Sequence, residues 1–550
     1  MNLVKRFILL FFCGTNFLLA QRSISYNDKL FATAKVWGFL KYYHPNVAKG
    51  KFDWDKQLFE ILPLIKKANT KDEFSKICIA WIESLGKINN CSKCLKLSKQ
   101  DYFDKNFDLS WMQDGLLISN ELHDKLKFIE HNRALGKQYY ASIGKGAQNV
   151  KIENEKVYED FTWDNRNLRI LTLFRYWNNI EYFFPYKYQM DEDWNAVLKE
   201  MIPKFLNVNS ELDYHLSLLE LVVKIDDSHA GFFTEITKEY FGKKYIAAYY
   251  KIIDDKAVVL GFYNDSLALV NDIQIGDVFT KVNGESISQI INGNDKYIHG
   301  SNQATKLRNN NYSIFNGSTD SVEVEYLRNN KVQSKKVGRY FFEDFNYKRP
   351  VKDKWRILEN NIGYVNLGSL ERDDVSGMMD SLKNTKAIIF DIRNYPKNTL
   401  YSIVSYLNSE PKEFVNFTRP VLNYPGRYTY EKYMKVGKAK GLKYANRVVL
   451  LVNEFTQSFG EFTAMCLQTG DQVTTIGSQT AGADGNVSKM ELPGGLSTWI
   501  SGIGVFYPDG TETQRNGIKL NYEVKPSISG ILEGRDEVLE MAIQHIEAGN

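Results

Sequence analysis

The stretch RVVLLVNEFTQSFGEFTAMCLQ (residues 447–468) decides how the C-terminal part of this chain folds. It opens on an unbroken apolar run, Val448 to Val452, the mark of a strand buried on both faces. A mostly polar stretch, Asn453 to Gln457, interrupts it, and a helix opens at Ser458. Working outward, IGYVNLG (362–368) precedes an expected helix near 373–383, and KAIIFDIR (386–393) precedes one near 398–408. Apolar strands alternating with helices imply a mainly parallel sheet covered on both faces.

Ser458 stands where a strand turns into a helix. The first amides of a helix are unpaired and partly positive, so a serine placed there has an oxyanion site beside it. The same residues, Ser458-Phe-Gly-Glu461, also spell a capping box, in which serine and glutamate satisfy the helix end and do no chemistry. A second candidate is His229, one of seven histidines, in DDSHAGFF (226–233) after the apolar helix LLELVVKI. A lone loop histidine is commonly a surface or capping residue. Paired with Ser458 it gains a role, since serine needs a neighbouring base before it attacks.

Upstream lies an internal duplication. Residues 36–65 (VWGFLKYYHPNVAKGKFDWDKQLFEILPLI) match 176–205 (YWNNIEYFFPYKYQMDEDWNAVLKEMIPKF) without a gap. Trp37 pairs with Trp177, Pro45 with Pro185, Trp54 with Trp194 and Pro63 with Pro203. Ala34, Trp37, Leu40 and His44 share a helix face and match Phe174, Trp177, Ile180 and Phe184, so His44 reads as structural. From 241 to 345 short alternating runs and Asn, Asp and Gly turns indicate strands. Within them IQIGDVFTKVNGESI (273–287) resembles the PDZ domain in its order of turn, strand and Asn-Gly turn; a plain β-rich spacer is the alternative.

The 550 residues, 43% hydrophobic, are enough for several cores, and 70 basic against 66 acidic side chains give no basis for a nucleic-acid partner. Lys5 and Arg6 followed by apolar Phe7 to Ala20 read as a secretory signal cut after Ala20, which implies export to the periplasm or medium; an uncleaved anchor is the alternative. Cys91 and Cys94, in CSKC, read as a structural disulfide, with a redox pair or half a zinc site as alternatives; no second Cys/His pair stands at zinc spacing.

Four stretches, KAIIFDIRN (386–394), LLVNEFTQSFGEFTAMCLQ (450–468), TTIGSQTAGADGN (474–486) and GIKLNYEVKPSISGILEGRDEVLEMAIQHI (517–546), resemble the tail-specific (C-terminal processing) and tricorn-type serine peptidases of family S41. With the PDZ-like piece and the helical region before it, the likeness covers most of residues 165–550. It implies that Ser458 is the nucleophile. Tail-specific members take a lysine base from a Phe-Gly-Lys-Gly stretch; here that stretch is AGADG, the position is Ala483, and Lys489 is out of register. Tricorn-type members use a Ser-His pair, which Ser228 and His229 match, with Ser228 steadying the imidazole. The resemblance further implies a carboxylate near the C-terminus, for which Glu512 in YPDGTETQRNGI is the candidate, an exposed turn residue being the alternative. The implied oxyanion donors are the backbone amides of Phe459 and of Lys397 in DIRNYPKN, a loop where the family has two glycines; Pro396 has no N–H to give.

The expectation is a multi-domain α/β chain: signal peptide 1–20, helical unit and connection 21–164, a second helical unit 165–240 carrying Ser228 and His229, a PDZ-like domain 241–345, and a ClpP/crotonase-like catalytic domain 350–550. Its function would be hydrolysis of proteins or peptides, the PDZ-like module either delivering the substrate's C-terminus or gating the cleft, with no metal or organic cofactor. A non-catalytic peptide- or ligand-binding protein on the same scaffold is the alternative of a different class. An esterase would differ only in leaving group.

Overall fold

A computed structural model describes residues 24–97, 102–348 and 352–549; the expected signal peptide and its cut lie outside them. Two helical hairpins come first, Tyr26–Tyr43 with Trp54–Lys67 and Arg166–Phe183 with Trp194–Leu206. Each helix starts on a side chain, Ser25, Asp53, Asn165 and Asp193 in turn, that accepts from a first-turn amide. Both leading helices stop two residues before a proline, Pro45 and Pro185. His44 (φ −69°, ψ 122°) and Phe184 (φ −87°, ψ 118°) are extended because the proline ring crowds the helical alternative.

In each hairpin two tryptophans exchange the same pair of hydrogen bonds. Trp37 Nε1 donates to the Trp54 carbonyl at 3.2 Å and Trp54 Nε1 to that of Trp37 at 3.1 Å; Trp177 and Trp194 repeat this at 2.8 and 3.0 Å. The leading helices are buried almost all round because they pack on each other. A Cβ at Gly38 would lie 1.6 Å from Asn178 Oδ1, so only glycine admits this approach, and Asn178 Nδ2 donates to the Ala34 carbonyl at 3.0 Å. His44 is fully buried, and burial pushes its pKa down to about 4, which keeps it neutral. Cys91 and Cys94 form a disulfide.

Next, five strands form an antiparallel sheet in the order Ala248–Ile253, Lys256–Phe262, Val278–Val282, Ser321–Arg328, Lys331–Gly338. Asn283 and Gly284, at φ 49° and 86°, turn Val278–Val282 back onto Glu285–Ser286, as a tight two-residue hairpin requires. Ala248–Ile253 is an edge of this sheet.

The last region holds six strands in the order Trp355–Leu358, Ile362–Asn366, Ala387–Asp391, Arg447–Val452, Val473–Gly477, Tyr522–Glu523; the first pair is antiparallel and the rest are parallel. Alternate residues of the central strands enter two cores. Ile388, Phe390, Val448 and Leu450 pack with Met378, Ile403 and Leu467 from helices Val375–Leu382, Leu400–Leu407 and Phe459–Gln468. Ala387, Ile389, Val449 and Leu451 pack with Val538, Ala542 and Ile546 of helix Glu537–Glu547. The sheet is thus covered on both faces, as the apolar runs imply.

Two hairpins stand off this sheet, Lys412–Pro420 with Tyr428–Val436 and Val487–Leu492 with Leu496–Ser501. The N-terminal half grips both. Tyr43 donates its hydroxyl to the Pro425 carbonyl at 2.5 Å, Gly426 N–H donates to Tyr182 at 3.2 Å, and Ser488 Oγ donates to the Val150 carbonyl at 2.5 Å. Among the described residues no helix is long and apolar enough to cross a membrane.

Candidate active site

Ser458 ends the loop after strand Arg447–Val452 and starts helix Phe459–Gln468. Its backbone sits at φ 55°, ψ −118°, a region that a residue with a Cβ avoids, and its hydroxyl makes no cap hydrogen bond. An ordinary N-cap is extended. The loop is pinned below by Thr456, whose Oγ1 donates to the Ile392 carbonyl at 2.8 Å. It is pinned from the side by Glu461, a buried carboxylate that accepts from Thr480 Oγ1 (2.6 Å), Gly482 N–H (2.8 Å), Ala483 N–H (3.0 Å) and Ser458 N–H (3.2 Å). Burial pushes the Glu461 carboxyl up against the pull of these bonds. Ser458 N–H also donates to the Ala483 carbonyl at 3.0 Å. So Ala483, where the resemblance implies a lysine in tail-specific members, supports Ser458 through its backbone. Lys489 is exposed and pairs with Glu491 at 3.0 Å.

The hydroxyl of Ser458 lies 3.5 Å from the Gly485 carbonyl, and among the described residues nothing accepts from the Phe459 N–H. The Lys397 amide differs from expectation: it donates to the Leu367 carbonyl at 3.3 Å, because the DIRNYPKN loop folds back on strand Ile362–Asn366. Pro396 of that loop packs towards the helix start, 3.6 Å from where a Cβ of Gly460 would lie.

His229 and Ser458 come from loops that meet. Gln457 Nε2 donates to the Ser228 carbonyl at 3.3 Å, and Ser228 Oγ donates to the Ala481 carbonyl at 2.9 Å. Ser228 also trades bonds with Ser301, its N–H to Ser301 Oγ at 2.7 Å and Ser301 N–H to its Oγ at 2.8 Å. These bonds correct the role expected of Ser228: it joins loops and does not touch the imidazole. The groups at the ring are Asp227 and Ser501. His229 Nδ1 lies 2.9 Å from Ser501 Oγ and 3.6 Å from Asp227 Oδ1. Asp227 Oδ1 accepts from Ser501 Oγ (3.0 Å) and from His229 N–H (3.1 Å), and its Oδ2 from Ser501 N–H (2.6 Å). Burial pushes the Asp227 carboxyl up, but the imidazole and the two amides outweigh it and hold it below the usual aspartate range. His229 Nε2 is buried and has no hydrogen-bond partner among the described residues, and no hydrogen bond joins it to Ser458.

Glu512 lies elsewhere. Its carboxylate accepts from Lys105 Nζ (2.8 Å), Tyr188 OH (2.8 Å) and Gln189 Nε2 (2.7 Å), tying the C-terminal region to the N-terminal one. Asp227 was legible within DDSH, two residues before the histidine. Ser501 carries no sequence signal, being 272 residues from the ring it touches. Beside the site a cavity of ≈ 430 Å³ runs from the open edge strand, at Tyr249 and Tyr250, past His299 and Arg308 to Phe455. Arg308 donates to the Glu454 carbonyl at 2.7 Å and to Gln457 Oε1 at 2.8 Å, so the cavity wall is bonded to the loop that ends in Ser458.

A strained serine at a helix start, a bare amide after it and a half-buried histidine in the adjoining loop are the parts that serine hydrolysis needs. Residues 361–524 match the model of peptidase family S41, so this segment is an S41 peptidase domain and the protein that carries it is a serine peptidase. Ser458 lies inside the matched segment and His229 before it. Among solved structures, mature CPAF complexed with lactacystin is similar over 70% of this chain and 99% of its own, at 13% identity and TM-score 0.55. Mature CPAF alone is similar over 70% and 98%, at 12% identity and TM-score 0.54. At such identities the likeness is one of fold. No curated protein matches the chain.

Proposed function

We propose that the chain is an exported peptidase that cleaves proteins or peptides through an acyl-enzyme on Ser458, with His229 as general base. The observation that carries this reading is the backbone of Ser458, left-handed at φ 55° and bonded at its N–H to both Glu461 and Ala483. Such strain costs about 1–3 kcal/mol and persists where the surroundings enforce it. In the reaction Ser458 Oγ turns from Gly485, gives its proton to His229 Nε2 and attacks the peptide carbonyl carbon. The Phe459 N–H receives the developing oxyanion. His229 returns the proton to the departing amine, then takes one from the water that attacks the ester, and Ser458 leaves with it. Asp227, ionised and next to the ring, balances the charge of the imidazolium, the role that the family resemblance implies for Glu512.

Other parts fit this reading. The matched tryptophan exchanges support a duplicated helical unit, and the strand order with its open edge supports a PDZ-like domain. An extended substrate would pair with Ala248–Ile253 and run through the cavity past Phe455 to Ser458. The apolar N-terminal run and the disulfide support export. One observation favours a non-catalytic peptide-binding protein: Ser458 Oγ faces Gly485 and not His229. A fluorophosphonate probe on the mature protein separates the two readings. Labelling of the wild type, lost in folded Ser458→Ala and His229→Ala variants, supports the enzyme. Folded wild type that neither labels nor cuts unstructured peptides supports the binding protein.

A further inference from the structure

We propose that Ser501 is a positioning residue whose hydroxyl links Asp227 to His229 and fixes which ring nitrogen carries the proton. The inference rests on the reading of His229 as the base. Ser501 Oγ has one proton and two neighbours, Asp227 Oδ1 at 3.0 Å and His229 Nδ1 at 2.9 Å. An ionised carboxylate only accepts, so the hydroxyl proton is directed to Asp227. The same oxygen must then accept from the ring, which places the imidazole proton on Nδ1 and leaves Nε2 bare. Nε2 is the buried, unpartnered nitrogen, the atom that a base toward Ser458 has to present. Asp227 does not do this alone, because 3.6 Å from Oδ1 to Nδ1 exceeds a hydrogen bond.

The surroundings hold this link in register. Ser501 N–H donates to Asp227 Oδ2 at 2.6 Å and His229 N–H to Oδ1 at 3.1 Å, so the carboxylate is clamped by backbone groups that no side-chain substitution removes. Ser501 pairs across the hairpin with Val487, and the neighbouring Ser488 is bonded to Val150, so its strand is anchored to the connection between the helical units. The hydroxyl is therefore separable from the scaffold. Ser501→Ala deletes the link and leaves Asp227 in place.

Ring-nitrogen NMR of histidine-labelled wild type, with His229→Ala to assign the signal, tests the tautomer directly. The proton is expected on Nδ1; a proton on Nε2 overturns the proposal. The second measurement is the fluorophosphonate labelling rate against probe concentration. Ser501→Ala is expected to melt near the wild type, to show mixed tautomers, and to label about 10- to 100-fold more slowly at unchanged half-saturating probe. Ser501→Thr, which keeps the hydroxyl, restores most of the rate. Wild-type labelling by folded Ser501→Ala overturns the proposal. If Ser501→Ala does not fold, the wild-type tautomer and the threonine variant decide. Labelling of His229→Ala at the wild-type rate would instead sink the base assignment, whatever the tautomer.

Discussion

Among the described residues two helices begin with a serine followed three residues later by a glutamine or glutamate, and the two serines do different things. At Ser286-Ile-Ser-Gln289 the box closes: Ser286 is extended (φ −69°, ψ 152°), its hydroxyl accepts from Gln289 N–H at 3.2 Å, and Gln289 Oε1 accepts from Ser286 N–H at 2.9 Å. At Ser458-Phe-Gly-Glu461 only the glutamate's half serves the backbone. Ser458 is left-handed and its hydroxyl is free of the cap. A pattern read along the chain cannot separate the two. What separates them is the partner brought from elsewhere, since Glu461 also holds the loop Thr480 to Ala483 and that loop holds Ser458.

The sharpest way to break the comparison is to remove each hydroxyl. Ser458→Ala is expected to lower fluorophosphonate labelling at least about 1,000-fold with the fold intact, as for a serine nucleophile. Ser458→Gly is expected to lose labelling equally and to gain about 1 kcal/mol in urea unfolding, because glycine accepts φ 55° without strain. A glycine variant that unfolds more easily than the wild type would mean that Ser458 is an ordinary cap after all.

This contrast also marks what was legible in the sequence. The parallel sheet followed from unbroken apolar runs such as Val448–Val452, and the helical hairpins from tryptophans and prolines that recur in register, because these signals are local or periodic. Ser458 and His229 stood out as chemistry-bearing residues at element ends. The supporting groups depend on contacts across the fold, which no local pattern encodes. The expectation for Glu512 rests on its place near the C-terminus, yet Lys105, Tyr188 and Gln189 take its carboxylate. The expectation for Lys397 rests on its loop, yet its amide turns to Leu367. Nothing local marks Ser501, since the hairpin Val487–Ser501 is what brings it to Asp227 and His229.

Next in size is the glutamate that makes the two boxes differ. In Glu461→Gln one acceptor oxygen becomes an amide nitrogen facing two donors, whichever way the side chain turns. The expected loss is about 2–3 kcal/mol, with slower labelling through the loosened loop. Gln289→Ala, its counterpart in the closed box, should leave labelling unchanged. Equal effects on labelling would remove the distinction drawn here.

The loop gives the comparison a pH axis. Burial pushes the Asp484 carboxyl well above the usual aspartate range, the Glu461 charge adds to this, and the Gly485 amide opposes it. A raised carboxyl is protonated in the fold and ionised in the unfolded chain over the interval between the two pKa values. Its contribution to stability is therefore full below the unfolded value and lost as pH rises through the folded one. Melting temperature measured from acid to neutral pH should fall more steeply with pH in the wild type than in Asp484→Asn. Parallel curves would mean that Asp484 titrates as an exposed residue does.

The smallest effect belongs to the ordinary cap, and it calibrates the rest. Ser286→Ala leaves the Gln289 N–H without its acceptor at an exposed helix start, where water replaces the lost bond in part. The expected cost is about 1 kcal/mol in urea unfolding, and Ser286→Gly a few tenths, because glycine is a tolerated cap. Neither should change the labelling rate of Ser458. The glycine pair therefore has opposite signs at the two boxes, slight loss at Ser286 and gain at Ser458. That sign reversal depends only on backbone geometry. It would persist in a protein whose base had been removed, so His229→Ala carrying Ser458→Gly should keep the gain. If the gain vanished with the histidine, the strain at Ser458 would come from the imidazole and not from Glu461 and Ala483.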